Sequence, residues 1–153
     1  MPILQSTYTD DLALGYPGMI ANGETSNRIT RSVQDAAGIG FGRAVYRGTG
    51  DHDCTGTVGT LATFLGFTVA TSAQQHVEGQ TVDRYQQRDN ATILTSGAIF
   101  VTVVGNVADG AAITVATANG ALSSTAADAS NIATGWVADQ TITGGGLIRI
   151  VKR

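Results

Sequence analysis

Charge is scarce in this sequence of 153 residues. Charged side chains make up 14% of it, the formal net charge is −3, and Lys152 is the only lysine. Soluble domains carry about 25% charged residues on average. A nucleic-acid-binding domain needs a basic patch to displace counterions, so we predict no nucleic-acid partner. Weak charge repulsion between copies instead favours self-association or contact with another protein.

Cysteine and long apolar runs are also scarce. Cys54 is the only cysteine, so no disulfide can form within the chain, and synthesis in a cytoplasm is compatible with this. The longest weakly charged run, residues 97–122, is broken by glycines and by Asp109. A membrane helix needs about 20 mainly apolar residues, so we predict no membrane partner. Residues 1–18 lack the basic start and the apolar core of a signal peptide.

Glycine and threonine are abundant, and both suit sheets and their turns. The chain has 20 glycines and many threonines and valines, whereas aromatic residues make up only 6%. β-branched residues favour pleated, half-buried surfaces, and glycine serves turns and bulges. A chain of this length forms one domain with a real core. The composition therefore predicts an all-β domain, either a small β-barrel or a jelly-roll-like sandwich.

Several segments predict individual strands and turns. Residues 60–71 predict a strand pair or one bulged strand, with Gly66 at the bulge. Residues 96–105 are apolar on both faces, which is typical of a central strand. An Asn-Gly turn within residues 117–122 predicts a hairpin. Further strands are predicted at FGRAVY, residues 41–46, and in a hairpin over residues 133–153.

The start of the chain differs from the rest. Residues 1–35 hold both prolines and no lasting hydrophobic period, which predicts an extended N-terminal arm before a β domain at 36–153. Apolar residues recur at helical spacing near the end of this arm, which predicts one short helix over 27–37. The alternative is a strand in which Ile29 and Val33 share one face with Arg31.

Two stretches resemble functional motifs. The stretch GIGFGRAVYRGTG, residues 38–50, is rich in glycine, but it has no lysine and precedes a strand, unlike phosphate-binding loops. We interpret it as backbone geometry at the entry to a sheet. The run DHDC, residues 51–54, offers metal-binding side chains, but adjacent residues point apart and seldom converge on one ion. The sequence therefore predicts no metal and no other cofactor.

Catalytic signatures are weak as well. The chain has no Gly-x-Ser-x-Gly motif, and neither Glu24 nor Glu78 lies in an apolar setting suited to acid catalysis. We predict no catalytic residues and no enzymatic activity. Trp136, the only tryptophan, is expected in the core of a sheet, with a ligand platform as the alternative.

Four stretches together carry a resemblance to a known family. They are AAGIGFGRAVYRGTG at 36–50, FLGFTVAT at 64–71, the segment 82–122, and GWVADQTITGGGLIRIVKR at 135–153. In this order they resemble the capsid cement, or decoration, proteins of tailed bacteriophages. Members of that family often carry proline where this chain has Gly40, which bears on the entry into the following strand.

The resemblance implies a structural protein of the virion, made in the host cytoplasm. Such a protein sits on the outer surface of an icosahedral shell as a homodimer or homotrimer. It binds the major capsid protein and clamps neighbouring subunits against the pressure of the packaged DNA. We predict that the arm makes the contact, through Leu12, Leu14, Tyr16, Pro17 and Met19. The alternative is another virion component, such as a tail protein, or a glycan-binding β-sandwich.

Overall fold

The computed structural model describes residues 15–71 and 81–153, and these residues form strands, turns and loops. In chain order the strands are β1 (Asn27–Val33), β2 (Ile39–Gly40), β3 (Ala44–Arg47), β4 (Asp53–Thr55), β5 (Phe64–Thr68), β6 (Arg84–Tyr85), β7 (Asn90–Val103), β8 (Ala112–Ala116), β9 (Leu122–Ser123), β10 (Asn131–Ala138) and β11 (Gly146–Lys152). Within this part of the chain, no helix could cross a membrane. The predicted all-β class is confirmed.

Nine of these strands form one sheet that closes on itself twice. The first ring runs β1-β4-β3-β5-β7 and returns to β1, because β7 pairs with β5 on one side and with β1 on the other. The second ring runs β7-β11-β10-β8-β9, and the pairing of Val103 with Leu122 returns it to β7. The fold is therefore a pair of small β-barrels that share one long strand.

The shared strand β7 is 14 residues long and passes from one barrel to the other at its middle. β1 pairs with β7 between Asn90 and Ser96, whereas β11 pairs with it between Gly97 and Val103. Residues 97–101 are buried without interruption. This pattern confirms the predicted central strand, which needs apolar residues on both faces because protein covers both faces.

On β3 and β7, successive side chains point to opposite faces and enter two different cores. On β3, Val45 lies in the core of the first barrel, whereas Tyr46 lies in the larger core, which also contains buried side chains of β8, β10 and β11. On β7, Ile93 and Leu94 divide in the same way. The short ribbon formed by β2 and β6 adds Tyr85 to the first core. Because these strands are buried on both faces, the two barrels form one packed unit.

A bulge in β5 lies where the sequence predicts it. Val45 pairs with Gly66 and Tyr46 pairs with Phe64, so Leu65 has no partner on β3. Gly66 has a φ of 153°, and a Cβ atom at this position would collide with the carbonyl oxygen of Leu94 on β7. Glycine is therefore required here for a close approach of two backbones.

Both predicted hairpins are present. β8 and β9 pair in antiparallel fashion, and in the turn between them the N–H of Gly120 donates to the carbonyl of Ala116 over 2.8 Å. β10 and β11 also pair in antiparallel fashion. Trp136 of β10 is fully buried, as predicted, and its ring meets that of Phe67 edge to face at 5.2 Å.

The predicted helix over 27–37 is wrong, and the strand alternative is correct. β1 pairs with β7 along its length, and Val33 is buried while Ile29 packs against the first core. The helical spacing of these residues was overridden by the ladder of hydrogen bonds that closes the first barrel. Residues 27–33 therefore belong to the β domain, and the arm prediction concerns the chain before them.

Candidate functional site

Residues 15–21, the anchor segment, lie against the edge of β7 that faces away from β11. The N–H of Gly18 donates to the carbonyl of Phe100 over 2.8 Å, and the N–H of Phe100 donates to the carbonyl of Met19 over 2.9 Å. An isolated bridge joins Ile20 to the same strand. The anchor segment thus adds a short stretch of pairing to the shared strand.

Gly18 holds the anchor segment against the first barrel as well. Its carbonyl accepts a hydrogen bond of 2.8 Å from the N–H of Ala70. Its φ is +84°, and a Cβ atom here would lie 2.8 Å from the nitrogen of Ala70 and 2.9 Å from that of Gly42. No larger residue fits without displacing backbone, so the chain enters the body at a fixed point.

The structure separates the residues predicted to contact the shell. Tyr16 is 57% exposed and Pro17 is exposed, whereas Met19 is half-buried and its backbone is paired with β7. Leu12 and Leu14 lie outside the described residues. Of the three that the structure describes, Tyr16 and Pro17 are thus the two that lie at the surface.

Tyr16 and Pro17 form one wall of a surface cavity of about 430 Å³, the Tyr16 cavity. Its other walls come from the end of β2 and from neighbouring loops: Gly40, Phe41, Ala70, Thr71 and Asp83. Beside it Val82 is 58% exposed. Apolar surface of this kind is typical of a contact with another protein.

A second depression, the inter-barrel cleft, has a volume of about 680 Å³. One side consists of first-barrel residues, namely residues 35–40, 43–44 and 56–58 together with Arg84. The other side consists of Val115, Asn119 and Gly120 from β8 and the turn that follows it. Gly40 lines both the cleft and the Tyr16 cavity, so the two depressions are neighbours.

Sequence reasoning missed the cleft. The glycine-rich stretch 38–50 supplies part of its wall, including Arg43, but its interpretation as strand-entry geometry gave no reason to pair Arg43 with Arg84. The two arginines are far apart in the chain, and the pairing of Gly40 on β2 with Arg84 on β6 places Arg84 near Arg43, which lies beside Gly40. Local sequence carries no signal for such a juxtaposition.

The DHDC run does not gather into a metal site. Asp51 and His52 are exposed, whereas Cys54 points into the core of the first barrel. Among the residues described, no group of three or more histidine, cysteine, aspartate or glutamate side chains could hold a metal ion.

The Cys54 thiol is expected to react slowly. Burial raises its pKa to about 11, and the carboxylates of Asp35 and Asp53 add to the shift. At pH 8.5 a free thiol is about half ionised, so we expect alkylation of the native protein to be at least about 100-fold slower than alkylation in urea. Iodoacetamide labelling followed by mass spectrometry measures both rates. Equal rates in buffer and in urea would contradict the buried position of Cys54.

Aromatic side chains give little support to a glycan platform. Trp136, Tyr46 and Tyr85 are fully buried, and burial raises the pKa of Tyr46 to about 12. Phe41 meets Tyr85 edge to face at 5.3 Å rather than standing free. In the described parts of the chain, Tyr16 is the large aromatic residue with high exposure. Sugar-binding surfaces generally present several exposed aromatic rings. The single exposed ring of Tyr16 in the described residues therefore gives little support to a glycan-binding β-sandwich.

An ion pair joins Arg153 at the C-terminus to Glu24, which follows the anchor segment. The guanidinium of Arg153 lies 2.7 Å from the carboxylate of Glu24. The pKa of Glu24 is lowered by the hydrogen bond from Arg153, with a further contribution from Asn22. Because this pair is exposed to solvent, it fixes the two chain segments only loosely.

Comparison with known proteins points to a capsid. The sequence model of a family described as "Structural cement protein (E217 gp24/Pam3 gp6)" matches residues 4–152. A chain of the solved structure "The capsid of Myoviridae Phage XM1" superimposes with a TM-score of 0.64 at 13% identity, covering 96% of each chain. At that identity the likeness concerns the fold. No curated protein matches the sequence.

Proposed function

The chain belongs to the structural cement protein family of bacteriophages, and we propose that it binds the outer surface of an icosahedral shell and clamps neighbouring major capsid protein subunits. Membership of this family makes it a capsid cement protein of the virion.

One observation carries the proposal about contact residues. Tyr16 and Pro17 are exposed at the Tyr16 cavity, yet the anchor segment that follows them is tied to β7 by backbone hydrogen bonds. Apolar side chains fixed on a rigid support lose little conformational entropy when a partner covers them. We therefore propose that Tyr16, Pro17 and the preceding residues, including Leu12 and Leu14, contact the major capsid protein.

The barrel pair suits a part that bears load. Both rings are closed, so the body presents few unpaired strand edges. The shared strand carries hydrogen bonds to neighbours on both sides, and a pull on one barrel is passed to the other through it. A clamp with this body resists deformation when the packaged DNA presses the shell outward.

Several weak contacts can hold such a clamp. Attachment at more than one point makes full dissociation rare, because one released contact rebinds before the others open. A homodimer or homotrimer multiplies the number of contacts, and the low net charge of −3 limits repulsion between copies. A stable interface of this kind buries more than about 1,000 Å² in total.

The test is binding to shells assembled from the phage's major capsid protein. We expect a chain lacking residues 1–14 to remain folded and to lose most of its co-sedimentation with these shells. The deletion stops at residue 14 because the anchor segment pairs with β7. Circular dichroism and thermal unfolding check that the body is intact. Undiminished binding by the folded, shortened chain would contradict a contact through the arm.

A matched pair of point variants sharpens this test. Tyr16→Ala removes an aromatic ring at the Tyr16 cavity, and Leu61→Ala removes an apolar side chain of equal exposure, 57%, elsewhere on the first barrel. We expect Tyr16→Ala to weaken shell binding about tenfold or more, as for buried aromatic anchors of interfaces. Leu61→Ala is expected to bind as the unchanged protein does.

A further inference from the structure

We propose that the inter-barrel cleft takes an extended acidic segment of the major capsid protein, whose carboxylates pair with Arg43 and Arg84. This inference rests on the proposed function, since it assumes that the chain docks on the shell. It adds a second, electrostatic contact to the apolar contact at Tyr16, on the neighbouring depression.

Arg43 reaches across the cleft with a guanidinium that has no acidic partner within residues 15–71 and 81–153. Its Nη2 atom lies 4.0 Å from the place that a Cβ atom would take on Gly120, so the side chain spans from the first barrel to the second. The ion pairs of the described residues are Arg149–Asp139 and Arg153–Glu24, and neither includes Arg43. A free cationic group at the mouth of a cleft attracts an anionic partner.

Arg84 is oriented in advance for the same partner. Its Nη1 donates to the carbonyl of Ala37 over 2.6 Å, which holds the side chain along the cleft wall. Its Nε is buried and, among the described residues, has no hydrogen-bond partner. A guanidinium held in place through one Nη1 hydrogen bond can bind a carboxylate through its other Nη donors without a large loss of side-chain entropy.

Among the described residues that line the cleft, the one acidic side chain forms no ion pair with these arginines. Asp35 accepts hydrogen bonds from the hydroxyl of Thr55 over 2.7 Å and from the N–H of Gly56 over 2.6 Å. Both of its oxygens are therefore used to hold the loop that follows β4. The cleft retains a surplus of positive charge, even though the chain as a whole has a net charge of −3.

The shape of the cleft favours an extended peptide over a bulky ligand. Its walls contain the small residues Ala36, Ala37, Gly38 and Gly56, which present no bulky side chain to an approaching main chain. An extended segment can lie along such a wall while its acidic side chains meet the arginines. A nucleic acid would need a broad basic surface, and the cleft offers two cations.

The first experiment uses the isolated protein with hexaglutamate as the probe. We expect hexaglutamate to bind and hexalysine not to bind, and we expect Arg43→Met to weaken hexaglutamate binding about tenfold. The matched control is Arg47→Met, which removes an exposed arginine at the far end of β3, the strand that begins directly after Arg43, and outside the cleft. Isothermal titration or NMR shift mapping at low salt measures the affinities. Equal losses in both variants, or tighter binding of a short DNA duplex, would overturn the proposal.

The second experiment compares shell binding by the same two variants. Arg43→Met is expected to weaken co-sedimentation and to reduce its dependence on salt, because one screened charge contact is gone. If the unchanged chain binds shells and Arg43→Met binds equally well, the cleft proposal fails while the proposed function stands. If the unchanged chain does not bind shells, the proposed function itself fails.

The chain's own acidic residues provide the last test. Asp10 and Asp11 are the only charged side chains of residues 1–14. If an Asp10→Asn, Asp11→Asn double variant bound hexaglutamate more tightly than the unchanged protein, these aspartates would be the occupant of the cleft. That result would overturn the assignment of the occupant to the capsid protein. Equal affinity supports it.

Discussion

Replacing Trp136 by alanine is expected to destabilise the protein by about 3–5 kcal/mol. The indole is fully buried in the larger core and lies edge to face against Phe67, with ring centroids 5.2 Å apart. Phe67 belongs to β5 of the first barrel, so truncation opens a cavity between the two barrels. For a chain of this size the loss lowers the melting temperature by roughly 6–20 °C. Thermal and urea unfolding followed by circular dichroism measure it.

A phenylalanine at the same position distinguishes packing from hydrogen bonding. The Nε1 of Trp136 is buried and has no partner in the described parts of the chain. Trp136→Phe keeps a ring against Phe67 and removes the unpaired N–H, so we expect a smaller loss of roughly 1–2 kcal/mol. If phenylalanine were as harmful as alanine, a hydrogen bond of the indole would have to contribute most of the effect.

Replacing Gly66 by alanine is expected to cost about 2–5 kcal/mol, from backbone strain and overpacking together. The added Cβ would collide with the carbonyl oxygen of Leu94, and the φ of 153° is rarely adopted by residues with a side chain. The collision pushes β5 away from the shared strand, which weakens the ring of the first barrel. The free energy of unfolding in urea measures the loss.

Gly23→Ala is the control for this substitution. A Cβ atom at Gly23 would meet nothing within 4 Å, and its φ is not positive. We expect its free energy of unfolding to change by less than about 0.5 kcal/mol. If Gly23→Ala and Gly66→Ala lowered the free energy of unfolding by similar amounts, the bulge in β5 would not require glycine.

Trp136→Ala removes a contact with Phe67 of the first barrel, and Gly66→Ala disturbs a contact with the shared strand β7, so we expect one unfolding transition in each variant. β7 belongs to both rings, and neighbouring residues of β3 and β7 lie in different cores. Loss of one core therefore removes one face of strands that the other core needs. Two separate transitions in the Trp136→Ala variant would show instead that the barrels unfold independently.

Much of the fold could be predicted from local sequence. The bulge at Gly66, the hairpin turn at Gly120 and the central strand around residues 97–101 each depend on residue types at fixed spacing. Such signals are local, because turn geometry and the burial of both faces act on a few consecutive residues. The helix predicted over 27–37 failed because a partner strand, distant in sequence, decided its conformation.

The residues proposed to contact the shell were harder to predict from the sequence than the fold was. Leu12, Leu14, Tyr16, Pro17 and Met19 were chosen because they are apolar residues in an irregular segment, and the contact they make is still a proposal. The structure divides them, since Met19 is partly buried beside β7 while Tyr16 stands exposed. Nothing in the local pattern distinguishes an apolar residue that packs inward from one that faces a partner.

The sequence alone determined the all-β class, the absence of any disulfide within the chain and most of the turns, because these follow from composition and short spacing. Tertiary structure alone decided that one strand serves two barrels, that residues 15–21 are tied to it, and that Arg43 and Arg84 share a cleft. The physical reason is separation along the chain. A contact between residues far apart depends on how the sheet closes, and many sequences with the same local pattern could close it differently.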